Sequence, residues 1–106
     1  MKWAARSDGN QQPIVDFLRG NDWSVRVTSR VGQGFPDLVC ARMSFTALVE
    51  VKDPTKPKRD QQLTPDQVEF HRGWPGVVLT AYSPEDALAK LNAALVRSGA
   101  CKLEDV

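Results

Sequence analysis

The chain has 106 residues and a formal net charge of +1, with 42% hydrophobic and 25% charged residues. This length and composition predict one globular domain, and they exclude a strongly basic or acidic protein whose global charge alone would indicate nucleic acid or a membrane surface. No apolar run approaches the ~18 residues of a transmembrane helix. The N-terminus lacks the apolar core of a signal peptide, so we expect no membrane partner.

Two cysteines and one histidine limit the chemistry of the chain. Cys40 lies in an apolar segment and Cys101 near the C-terminus, and neither belongs to a CxxC pair. This pattern argues against a zinc site, a Cys–His nucleophile and a disulfide. It predicts a reducing, cytoplasmic setting.

Hydrophobic periodicity and the positions of glycine and proline predict the elements in chain order. A flexible segment at 1–10 is expected to precede a single domain at 11–98, with a tail at 99–106. The order of elements predicts an α/β fold, in which helices flank a central mixed β-sheet. The predicted elements are a helix at 11–20, strands at 23–30, 37–41 and 45–52, an extended loop at 53–62, a helix at 63–74, a strand at 76–82 and a helix at 83–99.

Three of these helices have candidate N-terminal caps. Thr64, Pro65 and Gln67 form the signature of a capping box with proline at the first helical position. Ser83 is the expected cap of the last helix, and Asn10 is a candidate cap for the first.

Charged side chains interrupt two otherwise apolar strands. Asp37 opens one strand, while Glu50 and Lys52 close the next, and residues two apart in a strand point to the same face. If these strands pair as a hairpin, Asp37 can lie beside the other two. Neighbouring carboxylates repel each other unless a cation lies between them, and Mg²⁺ prefers carboxylate oxygens while leaving positions for phosphate oxygens. The Val51 carbonyl could add a ligand, and Lys52 could activate the attacking water or neutralise charge on a phosphate.

The same residues also have a purely structural interpretation. Glu50 and Lys52 could form an exposed cross-strand pair, with Asp37 a turn residue after Pro36, because ExK alone is common. Charges in strongly apolar strands cost stability unless they are paired or used, which favours the functional interpretation.

Several short motifs occur together: GFPDL at 34–38, LVEVKD at 48–53, KP at 56–57, LTPDQVEFHRGW at 63–74 and VVLTAYSPEDAL at 77–88. In these motifs and their order, the chain resembles the VRR-NUC branch of the PD-(D/E)xK nuclease superfamily from Asp8 to about Val96. Compact, single-domain members of this branch are typical of bacteriophages and bacteria. The resemblance implies a restriction-endonuclease-like αβββαβ core with an extra C-terminal helix, and a location in a bacterial or phage-infected host cell.

The resemblance also implies roles for particular residues. Asp37 and Glu50 would be ligands of Mg²⁺ or Mn²⁺, and Lys52 would be the catalytic lysine. Gln67 would reach the active site from the start of its helix, although it could instead only close the capping box. Gln11 would occupy the position at which the family usually has Glu or Gln near the metals. Because Gln11 is neutral, it would hold a metal-bound water rather than a metal, which favours one firmly bound metal. Gln11 could instead be an ordinary first-turn residue.

A basic stretch directly follows the candidate catalytic lysine, and we interpret it as a phosphate-binding rim rather than a solvated loop. Pro54 and Pro57 are expected to hold it extended. Such contacts would be independent of base sequence. The predicted DNA contacts are Lys56, Lys58 and Arg59 on this loop, with Arg26 and Arg30 on the opposite rim.

These observations together predict a metal-dependent DNA endonuclease that needs no nucleotide cofactor. The resemblance suggests branched DNA such as a four-way junction as substrate, cut by a Holliday-junction-resolvase-like homodimer with two symmetric sites. Alternatives are a flap, repair or restriction-type nuclease with the same chemistry, or a non-catalytic DNA-binding module that kept the fold. His71, Trp23 and Trp74 are interpreted as packing or surface residues rather than as a general base or base-stacking platforms.

Overall fold

A four-stranded mixed sheet organises residues 9–106, which are the residues that the computed structural model describes. The strands lie in the order β1-β2-β3-β4, with antiparallel pairing up to β3 and parallel pairing between β3 and β4. The parallel pair requires a crossover, and two helices supply it. The elements are α1 (Gln11–Arg19), β1 (Ser24–Val27), β2 (Leu38–Arg42), β3 (Phe45–Val51), α2 (Lys58–Gln61), α3 (Pro65–Gly73), β4 (Val77–Ala81), α4 (Pro84–Arg97) and a 3-10 turn (Leu103–Asp105).

The predicted α/β class is therefore confirmed at the level of a mixed sheet flanked by helices. The expected flexible segment at 1–10 lies outside the described residues, except for Gly9 and Asn10. In the tail, Cys101 packs against the core. No helix within residues 9–106 has the length and apolar character needed to cross a membrane.

The hydrophobic core lies between the sheet and the helices α1 and α4. Three strand residues at alternate positions of β3, Ala47, Val49 and Val51, are each about 1% exposed and face this core. Their helical partners are almost completely buried, and full burial of a valine, leucine or isoleucine side chain contributes roughly 1.5–3 kcal/mol to folding. These partners are Ile14, Val15 and Leu18 of α1 and Ala87, Leu91 and Leu95 of α4.

A tight turn joins β2 to β3 and fixes their register. Met43 and Ser44 have φ angles of 51° and 64°, the two positive values of a two-residue hairpin turn. The pairing runs from Arg42 opposite Phe45 to Leu38 opposite Val49. A one-residue slip would move every β3 side chain to the other face of the sheet, so this register decides where Glu50 and Lys52 lie.

Trp23 is a core residue, in agreement with its interpretation as a packing residue. It is 2% exposed, and its indole Nε1 donates a hydrogen bond to Asn92 Oδ1 at 3.0 Å. Its ring also meets the Phe45 ring edge-on, with centroids 6.3 Å apart. Trp23 therefore ties the start of β1 to α4 and to β3.

Two predicted segments differ from the structure. The strand expected at 23–30 ends at Val27, because the chain turns there with a Val31 N–H to Thr28 carbonyl bond of 3.0 Å; Val27 is consequently 47% exposed. The stretch expected to be an extended loop contains the single helical turn α2. The Gln61 amide stabilises this turn by donating to the carbonyls of Pro54 at 3.1 Å and Lys56 at 2.8 Å.

Candidate active site

The end of β3 places two charged side chains on the face opposite the hydrophobic core. Val49 and Val51 point into the core, so Glu50 and Lys52 point to the other side of the sheet. Both are nevertheless buried, with Glu50 3% and Lys52 7% exposed. The alternative interpretation of Glu50 and Lys52 as an exposed pair is therefore wrong, and these charges need partners inside the protein.

Asp37 lies against the same end of β3. Its Oδ2 accepts a hydrogen bond at 2.8 Å from the Val51 N–H, which belongs to the peptide that joins Glu50 to Val51. Continuing the β2–β3 register by one residue puts Asp37 opposite Glu50, on the same face. The structure thus brings Asp37 to the other two charged residues.

The Val51 carbonyl points to the side of β3 on which β2 lies. The Lys52 N–H donates to the Ala81 carbonyl on β4 at 2.9 Å. In a trans peptide the carbonyl and the following N–H point in opposite directions, so the Val51 carbonyl turns away from β4 and towards the β2 side.

Gln67 connects Lys52 to Glu50 from the first turn of α3. Its Oε1 accepts from Lys52 Nζ at 3.0 Å, and its Nε2 donates to Glu50 Oε2 at 3.0 Å. The Lys52 and Glu50 charges themselves are 3.9 Å apart. The same Gln67 Oε1 accepts from the Thr64 N–H at 2.9 Å, which completes the predicted capping box. Gln67 therefore serves both the cap and the charged cluster.

The start of α3 lies directly on the glycine-rich loop before β2. Gly34 has a φ of +80°, and a Cβ there would meet the backbone carbonyl of Asp66 at well under 3.0 Å. Beside this contact Phe35 packs edge-on against Phe70, with ring centroids 5.2 Å apart, and Phe70 stacks on Trp74 at 5.1 Å. Trp74 is thus a packing residue that stays 40% exposed. This close approach positions Gln67.

The N-terminus of α1 is attached to the same region. The Asn10 side-chain amide donates to the carbonyls of Lys52 at 3.0 Å and Tyr82 at 3.2 Å. Asn10 stands at the N-cap of α1, as expected, and its carbonyl accepts from the Ile14 N–H at 3.4 Å, but its side chain makes no capping hydrogen bond. Gln11, the next residue, is 5% exposed at the first position of α1. Sequence reasoning missed this link, which joins residues 42 and 72 positions apart.

The predicted DNA contacts are exposed on several elements. Because α2 is helical, the expectation that prolines hold Lys58 and Arg59 in an extended loop is wrong. Just before α2, the side-chain hydroxyl and the backbone amide of Thr55 bond Asp53, which lowers the pKa of that carboxyl. The exposed basic residues are Lys56 on the loop, Lys58 and Arg59 on α2, Arg26 on β1 and Arg30 after β1.

His71 lies one turn after Gln67 and is half-buried. Burial lowers its pKa below the usual 6.5, and the positive charge of Lys52 lowers it further. The folded protein therefore keeps this imidazole neutral at a pH where the unfolded chain already binds a proton. A packed histidine fits this environment.

This pKa shift predicts a pH dependence of stability. Above 6.5, the pKa of this histidine in the unfolded chain, neither state binds the proton and the pKa shift costs no stability. The free energy of unfolding decreases as the pH falls through 6.5 towards the lower pKa of His71 in the folded protein. His71→Gln should therefore flatten the decline of the urea midpoint between about pH 7.5 and 5.5. Since His71 is the single histidine, the wild type is a direct comparison. Equal slopes for both proteins would contradict the prediction.

The oxygen atoms of this cluster suit a hard divalent cation. Within residues 9–106 no group of three or more His, Cys, Asp or Glu side chains is placed to hold a metal. The cluster instead offers the carboxylates of Asp37 and Glu50 and the Val51 carbonyl. Mg²⁺ is commonly held by one or two carboxylates together with water and substrate phosphates, so this donor set fits it. Each carboxylate has a second oxygen besides the one bonded to Val51 or Gln67.

No protein-family model matches this chain, and no match is found among curated proteins or solved structures. The resemblance to VRR-NUC nucleases thus rests on the motifs alone.

Proposed function

We propose that this chain is a divalent-metal-dependent DNA endonuclease with PD-(D/E)xK chemistry. The observation that carries the proposal is the meeting of Asp37, Glu50 and Lys52 at the end of β3, with Lys52 held by Gln67. Buried charges on an otherwise apolar strand are costly, and a phosphate-cleaving site explains all of them together. The element order supports a restriction-endonuclease-like αβββαβ core, to which α2 and α4 are added.

Asp37, Glu50 and the Val51 carbonyl would hold Mg²⁺ or Mn²⁺. When bound, the cation would neutralise charge that develops on the phosphate. Lys52 has three N–H donors, and Gln67 takes one at 3.0 Å. The others can orient the attacking water or donate to a phosphate oxygen. Gln67 fixes the lysine rotamer, and Asn10 fixes the backbone carbonyl of the same residue.

The exposed lysine and arginine side chains around the site support binding through the DNA backbone. Arg26 pairs with Val39 and Val39 with Leu48, which places Arg26 on the sheet face that carries Glu50. We propose branched DNA as the substrate and a homodimer as the active form, because a two-fold axis presents two sites to two strands. A monomeric mass at micromolar concentration with full activity would remove the dimer from this proposal.

The proposal is tested by incubating labelled four-way junction, flap and plain duplex with Mg²⁺, Mn²⁺ or EDTA. We compare the wild type with Glu50→Gln, which removes the charge but keeps an oxygen acceptor for the Gln67 amide. Wild type should cut branched DNA only with metal, and Glu50→Gln should be slower by about 100-fold or more. The exposed Glu104→Gln is the matched control and should cut normally.

Other outcomes distinguish the alternatives. Metal-dependent cleavage of flaps alone would support the proposed chemistry and would show that flaps, rather than four-way junctions, are the substrate. Cleavage that EDTA does not affect would contradict the assigned site. Tight DNA binding without cleavage would indicate a DNA-binding module in which Lys52, Gln67 and Glu50 only dock α3.

A further inference from the structure

A pocket of about 460 Å³ opens beside the candidate active site. Its size falls in the range of small-molecule pockets, ~300–1,000 Å³. Only one of its lining residues, Lys58, belongs to the predicted site. The pocket is lined by Lys58, Gln61, Gln62, Leu63, Thr80 and Tyr82.

Three of the residues that line the pocket are neighbours of the charged cluster. Thr80 pairs with Glu50 in the β3–β4 register, and paired residues share a sheet face at neighbouring strands ~4.8 Å apart. Tyr82 follows Ala81, whose carbonyl accepts the Lys52 N–H. Leu63 precedes the cap residue that bonds Gln67. A molecule in the pocket would therefore lie next to the reacting phosphate.

Residues of α4 hold Tyr82 in place. Lys90 Nζ lies 5.2 Å from the ring centroid and is itself held by the Thr80 carbonyl at 2.6 Å and Asp86 Oδ2 at 3.0 Å. The Tyr82 N–H donates to the same Asp86 oxygen at 3.0 Å. Tyr82 lines the pocket, whereas Lys90 is not among the described residues that line it. A fixed aromatic ring at a pocket wall is a stacking platform for a nucleobase.

The other lining groups match the remaining parts of a nucleotide. The Gln62 carboxamide supplies a donor and an acceptor of the kind that base edges bind, and Gln61 supplies its Oε1 acceptor, since its Nε2 already donates to the carbonyls of Pro54 and Lys56. Lys58 supplies a positive charge for a phosphate. Among residues 9–106, no acidic side chain lines the pocket.

We propose that this pocket holds one unpaired nucleotide of the cleaved strand, with its base on Tyr82 and a phosphate at Lys58. A base inside a duplex stack cannot enter such a pocket, so the bound nucleotide must already be unpaired or be extruded. This inference rests on the proposed nuclease function and narrows its substrate. The preferred DNA carries an unpaired nucleotide at the cut, as flaps and open junctions do, rather than continuous duplex.

The test measures binding in EDTA, so it does not depend on cleavage. A set of flap oligonucleotides carries the fluorescent base 2-aminopurine at successive positions around the branch point. Stacking on Tyr82 should quench the fluorescence at one or two positions only. Tyr82→Ala should abolish that change and weaken binding by at least about fivefold, whereas Tyr82→Phe keeps the ring and should behave as wild type. Gln62→Ala, an exposed position, should weaken binding without affecting folding.

The controls separate this inference from the nuclease proposal. Position-specific quenching without any cleavage in Mg²⁺ would overturn the proposed nuclease function, but it would support the binding of an unpaired nucleotide in the pocket. Cleavage of flap and duplex at equal rates, with no quenching at any position, would overturn the proposed nucleotide binding in the pocket, but it would support the nuclease function. Free 2-aminopurine deoxynucleotide that binds as tightly as the flap would also overturn it, because the pocket would then be a mononucleotide site.

Discussion

Replacing Lys52 with methionine should lower the rate of metal-dependent cleavage by about 10²–10⁴-fold, the usual contribution of a positioned proton donor or acceptor. Methionine has a similar length and fills the same buried space, but it cannot donate to Gln67 or to a phosphate. The measurement is the initial rate of junction cleavage at saturating Mg²⁺. Lys102→Met, an exposed lysine, is the matched control and should keep the wild-type rate. A folded Lys52→Met protein that cuts within threefold of wild type would contradict the assigned role.

The same substitution has a cost in stability that must be separated from catalysis. It leaves the buried Glu50 without its neighbouring positive charge, and breaking a buried pair costs about 3–5 kcal/mol in free energy of unfolding. The double variant Lys52→Met with Glu50→Gln removes both charges, so it should recover part of this stability in urea denaturation. It should remain inactive, because both charged groups are gone.

Gly34→Ala should destabilise the protein by about 2–5 kcal/mol through two effects at one position. An alanine with φ of +80° costs ~1–2 kcal/mol relative to glycine, and its Cβ would overlap the backbone of Asp66, which adds ~1–3 kcal/mol. Since the overlap lies on the first turn of α3, relief of it must move Gln67 away from Lys52. Urea denaturation gives the loss in free energy of unfolding.

Gly32→Ala is the matched control for this prediction. Gly32 has a φ of +82°, but a Cβ there meets nothing within 4 Å. It should therefore lose only the conformational ~1–2 kcal/mol and keep the Lys52–Gln67 contact. Equal losses at both positions would show that the close approach to α3 does not matter.

The local signals in the sequence were sufficient for most of the fold. The capping box at Thr64 and Gln67 begins α3 as expected, and the Ser83 side chain accepts from the Asp86 N–H at the start of α4. Side chains alternate between the two faces of a strand, so the sequence predicts that Glu50 and Lys52 lie on the same face. These features depend on residues within one turn or one strand of each other.

Most of the features that the sequence did not predict depend on distant parts of the chain. The burial of Glu50 and Lys52 needs α3 to lie over them, and a strand pattern carries no information on that cover. The contact of Gly34 with Asp66 and the bonds of Asn10 join segments that a local pattern cannot relate. The single turn α2 is too short for a periodic signal, and its side-chain bonds to the preceding loop stabilise it.

The strand β3 carries two separate requirements on alternate residues, and this predicts how the chain tolerates deletions. Its odd-numbered positions 47, 49 and 51 build the core, while positions 50 and 52 build the charged cluster. A single deletion in the middle of β3 would exchange the two sets, which buries charge in the core and removes the site at once. In a deletion scan β3 should therefore be among the least tolerant segments, and no single compensating substitution should restore it. Deletions after Gly99 would shift neither set.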